Sequence, residues 1–130
     1  MLEALPDYAL FLVTSLALLA VALGVYILIT PFAEITLIRQ GNPAAAVSFT
    51  GTAIGMALVL HSTALGTFNL TELAVWGAIG LAGQLIVLGI VMIMLPGLRA
   101  GITEGKLSYG ILLGGLSVAM GILNAGAMST

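Results

Sequence analysis

The sequence predicts an all-α integral membrane protein, a four-helix bundle built from two parallel two-helix repeats. Three observations carry this expectation. The composition is 61% hydrophobic and only 6% charged, four apolar stretches are each long enough to cross a bilayer, and a proline-then-glycine punctuation occurs twice. Soluble domains carry roughly 25% charged and about 45–50% apolar residues. A surface that stays dispersed in water cannot be built from so few charges. Lipid is therefore the expected solvent for most of the chain, and the bilayer its first partner.

The spans are expected over residues 8–30, 43–62, 70–95 and 107–128. A hydrocarbon core about 30 Å thick asks for roughly 20 apolar residues per helix, because the backbone must satisfy its own hydrogen bonds where water is absent. Of Asp, Glu, Lys and Arg, the four stretches contain only Glu72, near an end. Glu3 and Asp7 precede the first apolar run and no basic residue does, so no cleaved secretory signal is expected there.

Start and stop signals mark the elements. Asn42 before Pro43 reads as an N-cap with proline at the first helical position. Asn69 with Glu72 reads as a capping box, and Phe68 with Leu73 as a hydrophobic staple. Pro31 and Pro96 each close a membrane run. Beyond Pro31, Ile35, Leu37 and Ile38 followed by Arg39 predict a short amphipathic extension along the interface.

Arg39 falls between spans one and two, and Arg99 and Lys106 between spans three and four, so every basic residue lies on one side of a four-span topology. The positive-inside rule makes that side cytoplasmic and places both termini outside. Tyr8, Phe68 and Trp76 then fall near the outer interface and Phe32 and Tyr109 near the inner one, as aromatic belts.

The two halves resemble each other when Pro31 is placed on Pro96 and Gly24 on Gly89; one residue of slippage then sets Gly41 on Gly105 and Gly51 on Gly115. A single transmembrane domain over residues 1–130 is expected, with one repeat over 8–65 and another over 70–130. A unit of two spans returns to its starting side, so the copies are parallel.

Helices in lipid associate through small residues and polar contacts, since hydrocarbon is as apolar as leucine. Span two carries Ala44, Ser48, Gly51 and Gly55, and span four carries Gly110, Gly114, Ser117, Gly121 and Asn124, each at helical spacing. Gly51 with Gly55 and Gly110 with Gly114 are GxxxG pairs. Packing within the chain outweighs a contact between subunits for these stripes. Spans two and four are expected inside the bundle, with much of spans one and three facing lipid. Ala74, Ala78 and Ala82 give span three one smooth face.

The candidate functional polar residues are Glu34, Arg39, His61, Gln84 and Asn124, because polar groups at membrane depth are costly and turn toward protein or water. For Gln84 and Asn124, an amide bond across helices outweighs a substrate contact. His61, the sole histidine, reads as a half-solvated interfacial group that could respond to protons. Glu34 and Arg39 are five positions apart, outside the favoured helical pairing, so Glu34 reads as an interfacial charge; capping another helix or touching a cytosolic partner are the other readings.

Several classes are set aside. Three basic residues and a net charge of −2 build no phosphate-tracking patch, so no nucleic acid is expected. Without cysteine there is no disulfide framework or thiolate ligand, and no metal or other cofactor is expected. Hydrolase, P-loop and zincin motifs are missing, as are paired carboxylates within a span, so the chain is not expected to be an enzyme.

The run from Ile29 through Thr30, Pro31, Phe32, Ala33 and Glu34, continuing over Leu37–Asn42 and Ala44–Ala46, and the ending from Val118 to Ala125, resemble the YjfL-like family of bacterial inner-membrane proteins, domain of unknown function number 350. The resemblance covers nearly the whole chain. It implies a multi-pass bacterial inner-membrane protein of duplicated two-helix units, often found in envelope-stress gene neighbourhoods. Glu34, Gly41, Asn42 and Asn124 are the matching positions; Arg99 stands near the place of Glu34 in the second half. The leading expectation is a non-enzymatic scaffold or partner-binding subunit, as a homo-oligomer or with other membrane or cytosolic envelope proteins. The alternative is an oligomeric channel or transporter subunit for an ion or small solute, its polar path including Gln84, Ser117 and Asn124.

Overall fold

The computed structural model describes residues 4–66 and 70–128. Glu3, Phe68 and Asn69 lie outside the described residues, and with them the capping box and the staple proposed at the start of span three. The regular structure of the described residues is helical: α1 (Leu5–Ile29), α2 (Glu34–Arg39), α3 (Pro43–Gly66), α4 (Leu70–Met94), α5 (Leu98–Thr103) and α6 (Leu107–Met128). Helices α1, α3, α4 and α6 are long and apolar enough to cross a membrane. The first begins at Leu5 rather than Tyr8, with Pro6 in its opening turn, and the second continues beyond Ser62 to Gly66.

The connections follow from proline and glycine. Thr30 precedes Pro31 and turns extended (φ −62°, ψ 143°), as the proline ring forces on its neighbour, and α1 ends there. Helix α2 closes through Gly41 at φ +84°, whose N–H donates to the Ile38 carbonyl (2.9 Å) while Asn42 N–H donates to Leu37 (2.9 Å). This double bond pattern is a Schellman motif, and it needs the left-handed conformation that glycine adopts without strain. Helix α5 repeats it: Gly105 at φ +81° donates to Ile102 (3.0 Å) and Lys106 to Gly101 (2.9 Å). Asn42 then starts α3 by accepting the Ala45 N–H on its side-chain oxygen (3.0 Å). Its amide nitrogen donates to the Ile102 (2.6 Å) and Thr103 (3.2 Å) carbonyls, satisfying the open end of α5. One side chain thus joins the two turns.

Helix α3 packs most extensively on α6, α4 lies against both, and α1 rests on α3 and α4. Half of the α3 span is buried, against 39% for α4, 28% for α6 and 11% for α1. Span two is therefore central, but span four is more exposed than span three, contrary to the arrangement expected from small residues alone. The physical reason is that α6 presses one stripe onto α3 and leaves Ile111, Ile122 and Leu123 outward, whereas α4 buries Leu73, Gln84, Val87, Leu88 and Val91 among three neighbours.

The apolar core concentrates near the two turns, where Tyr26, Phe32, Ala44, Ala45, Val91, Leu98, Ile102 and Leu113 meet. Phe32 is a core residue, 6% exposed, rather than a member of an interfacial belt. Leu28 and Ile93 are over 80% exposed (85% and 82%), and side chains of this kind in such number call for lipid or another apolar surface beside them.

Candidate functional site

The contact between α3 and α6 is made by backbone. A Cβ added to Gly51 would meet the Gly114 backbone, one on Gly110 the Ala44 backbone, and one on Gly121 the Gly55 backbone. Gly114 faces Val47 O, at 2.6 Å from such an atom, and Gly55 faces both Ser117 O (2.5 Å) and the Gln84 amide nitrogen (2.6 Å). The five glycines Gly51, Gly55, Gly110, Gly114 and Gly121 therefore lie in one intrachain seam. Close approach here lets short polar side chains on neighbouring helices reach each other.

They do so around Thr52 and Ser117. The Thr52 hydroxyl faces the Ser48 carbonyl (3.2 Å) and the Ser117 hydroxyl (3.4 Å), and Ser48 donates to Ala45 O (3.0 Å). Gln84, fully buried, reaches across from α4 and donates its amide to Ser117 O (3.0 Å), while its carbonyl oxygen has no partner. On the other side of Thr52 stands Tyr26 of α1, 1% exposed, whose hydroxyl borders the Thr52 hydroxyl and lies within electrostatic reach of Glu34. Glu34, Tyr26, Thr52, Ser117 and Gln84 thus form a polar file running from the α1–α3 turn toward mid-bundle.

Glu34 is the unexpected member. Where the sequence suggests an interfacial charge, its side chain is 1% exposed and neither carboxyl oxygen has a hydrogen-bond partner. Burial pushes the carboxyl above the ordinary carboxylate range, with the nearby Thr30 hydroxyl pulling the other way. That hydroxyl carries one hydrogen and directs it to Ile27 O at 3.0 Å. No basic partner approaches, since Arg39 sits exposed at the far end of α2.

The other candidate residues stand apart from this file. His61 is exposed, in a groove of about 180 Å³ between α1 and α3 that also contains Ser15. Asn124 is half-buried with its amide near Gly83. Among the described residues no three His, Asp or Glu side chains come together, so none assembles a metal centre. Tyr26 and Thr52 were not singled out from the sequence. The signal for Thr52 was present, in its four-residue spacing from Ser48 beside Gly51; nothing local marks Tyr26.

A family model described as Domain of Unknown Function (DUF350) matches residues 1–128. The chain belongs to the DUF350 family. It is 31% identical over 128 residues to the UPF0719 inner membrane protein YjfL of Escherichia coli strain K12, covering 98% of this chain and 97% of that protein. The YjfL protein of Escherichia coli O157:H7 matches to the same extent. No solved structure matches the chain. This DUF350 member is thus a bacterial membrane protein with four apolar helices, and its buried polar file is the feature for which a role must be argued.

Proposed function

We propose that this chain is a non-enzymatic inner-membrane subunit that works as a scaffold, binding partner proteins through its lipid-facing sides. The observation that supports this most is the α3–α6 seam, where backbone meets backbone at Gly51, Gly114, Gly55 and Gly121. The middle of the bundle is filled, and the surface left for function is lateral. Helix α1 contributes the largest share of that surface, with 11% of its span buried. In this proposal the basic turns bearing Arg39, Arg99 and Lys106 face the cytoplasm and both termini face out. The duplication belongs to the same reading: long helix, proline, six-residue helix, left-handed glycine and long helix occur in that order twice.

Photocrosslinkers at the exposed Leu28, Ile93 and Leu123 in native membranes test the proposal. A discrete adduct, whether a second copy or another envelope protein, is the expected result. Recovery of monomer alone, including under envelope stress, overturns it.

The polar file favours a second reading, an oligomeric channel or transporter subunit for an ion or small solute. Thr52, Ser117 and Gln84 supply polar atoms at mid-bundle, but conduction past this closed seam would need an interface between chains. Flux into liposomes above empty vesicles, reduced by Gln84→Leu, supports it; no flux removes it.

A further inference from the structure

We propose that Glu34 is a proton-binding site: a neutral carboxylic acid that holds α2 against the bundle, and whose ionisation releases the α1–α3 turn. Four observations converge on it. The carboxyl is enclosed at 1% exposure, beside a Tyr26 side chain enclosed to the same degree. Neither carboxyl oxygen has a hydrogen-bond partner. A carboxylate only accepts hydrogen bonds, whereas the protonated acid also donates one, so a proton removes the unpaired charge and lets the carboxyl give a hydrogen to a carbonyl or hydroxyl oxygen that a carboxylate would repel.

The third observation is the absence of compensating charge among the described neighbours. Helix α3, which packs on α2, carries His61 as its sole titratable group, exposed at the opposite end. Tyr26 faces Glu34 from α1, and on α2 itself Arg39 is exposed. Arg99 and Glu104 at α5 are exposed, Lys106 pairs with Glu104, and Tyr109 of α6 lies under Lys106 and against Gly101. An ionised, uncompensated carboxylate in such a place is disfavoured, so it holds a proton or leaves.

The fourth is mechanical. The six residues of α2 form a unit between the Pro31 break and Gly41 at φ +84°, held to the bundle by Phe32, Leu37 and Ile38 as well as by Glu34, so a shift of this unit need not unwind α1 or α3. A hard metal cation asks for about six oxygen ligands, more than the two carboxyl oxygens with Tyr26 and Thr30 supply. A proton asks for one acceptor. Behind Glu34 the Tyr26, Thr52 and Ser117 hydroxyls continue the polar line to Gln84, so the site stands at the mouth of a path toward the bundle centre.

The full-length protein in lipid nanodiscs provides the test. Infrared titration with carboxyl-labelled glutamate should show a protonated-acid band that persists above the ordinary carboxylate range and is missing in Glu34→Gln. Since the chain lacks cysteine, a nitroxide on Thr36→Cys reports α2 alone. Its mobility should rise with pH over the interval in which the band disappears, and stay low in the Glu34→Gln background. A band confined to the ordinary carboxylate range overturns the proposal from the wild-type chain alone, whether or not the variant folds. So does nitroxide mobility that is flat with pH, or a transition that follows sodium concentration at fixed pH.

Discussion

Helices α2 and α5 have the same length, follow a proline and close through a Schellman glycine, yet they bury opposite chemistry. The first encloses Glu34; the second encloses Leu98, Gly101 and Ile102 and leaves Arg99 outside. The same closing geometry is therefore achieved with an aliphatic anchor in one half and an ionisable one in the other. An acid is not required to build such a turn, and an unpartnered one is a burden on stability. The difference points to a use for Glu34 beyond holding the backbone.

Placing an acid in the second turn should produce the largest effect. Leu98→Glu removes a side chain that is 1% exposed and buries a carboxyl among Tyr26, Phe32 and Val91. The expected loss is about 4 kcal/mol, measured by denaturant titration in micelles. A loss under about 1 kcal/mol would mean that both turns tolerate acids and that Glu34 is ordinary. Asn42→Ala comes next, because it strips a cap from α3 and two bonds from the end of α5. About 2 kcal/mol should be lost, with hydrogen exchange rising in both turns; acceleration in α2 alone would show that they are uncoupled.

The pH dependence separates the turns further. The folded Glu34 carboxyl is raised above its unfolded value, so between those values the native state binds more protons. Stability must fall as pH rises through that interval, and level off once the folded form has also ionised. Glu34→Gln should flatten this decline and leave the acid-side stability nearly unchanged. A decline of equal slope in the variant would assign it to another group. Smaller and symmetric effects are expected at Gly41→Ala and Gly105→Ala, about 1 kcal/mol each, since neither added methyl meets an atom closer than 3.9 Å and only the left-handed backbone objects. Last, Lys106→Ala should change stability by less than about 0.5 kcal/mol, because its pairing with Glu104 at 3.8 Å is solvent-screened.

Much of the architecture was readable from residue order. Apolar runs separated by Pro31, Asn42–Pro43 and Pro96 mark the helices, because proline and capping groups act on the backbone within a few residues of themselves. The stripe Gly51–Gly55 and the glycines of α6 pointed to close helix approach for the same local reason. The candidate site was less readable. Gln84 stood out as a polar residue in an apolar run, but Tyr26 did not, and Glu34 read as a surface charge because a carboxylate beside a proline turn ordinarily meets water.

By itself, the sequence determined a chain of four membrane-length helices with two glycine-closed turns, since hydrophobic length and backbone stereochemistry are local properties. Only the tertiary structure decided that α4 is buried more than α6, that Asn42 ties the two turns together, and that Glu34 and Tyr26 share an enclosed corner. Burial belongs to no single residue. It depends on which helix arrives from elsewhere in the chain to exclude solvent, and here α1 and α3 enclose a carboxyl that its own neighbours in sequence would have left exposed.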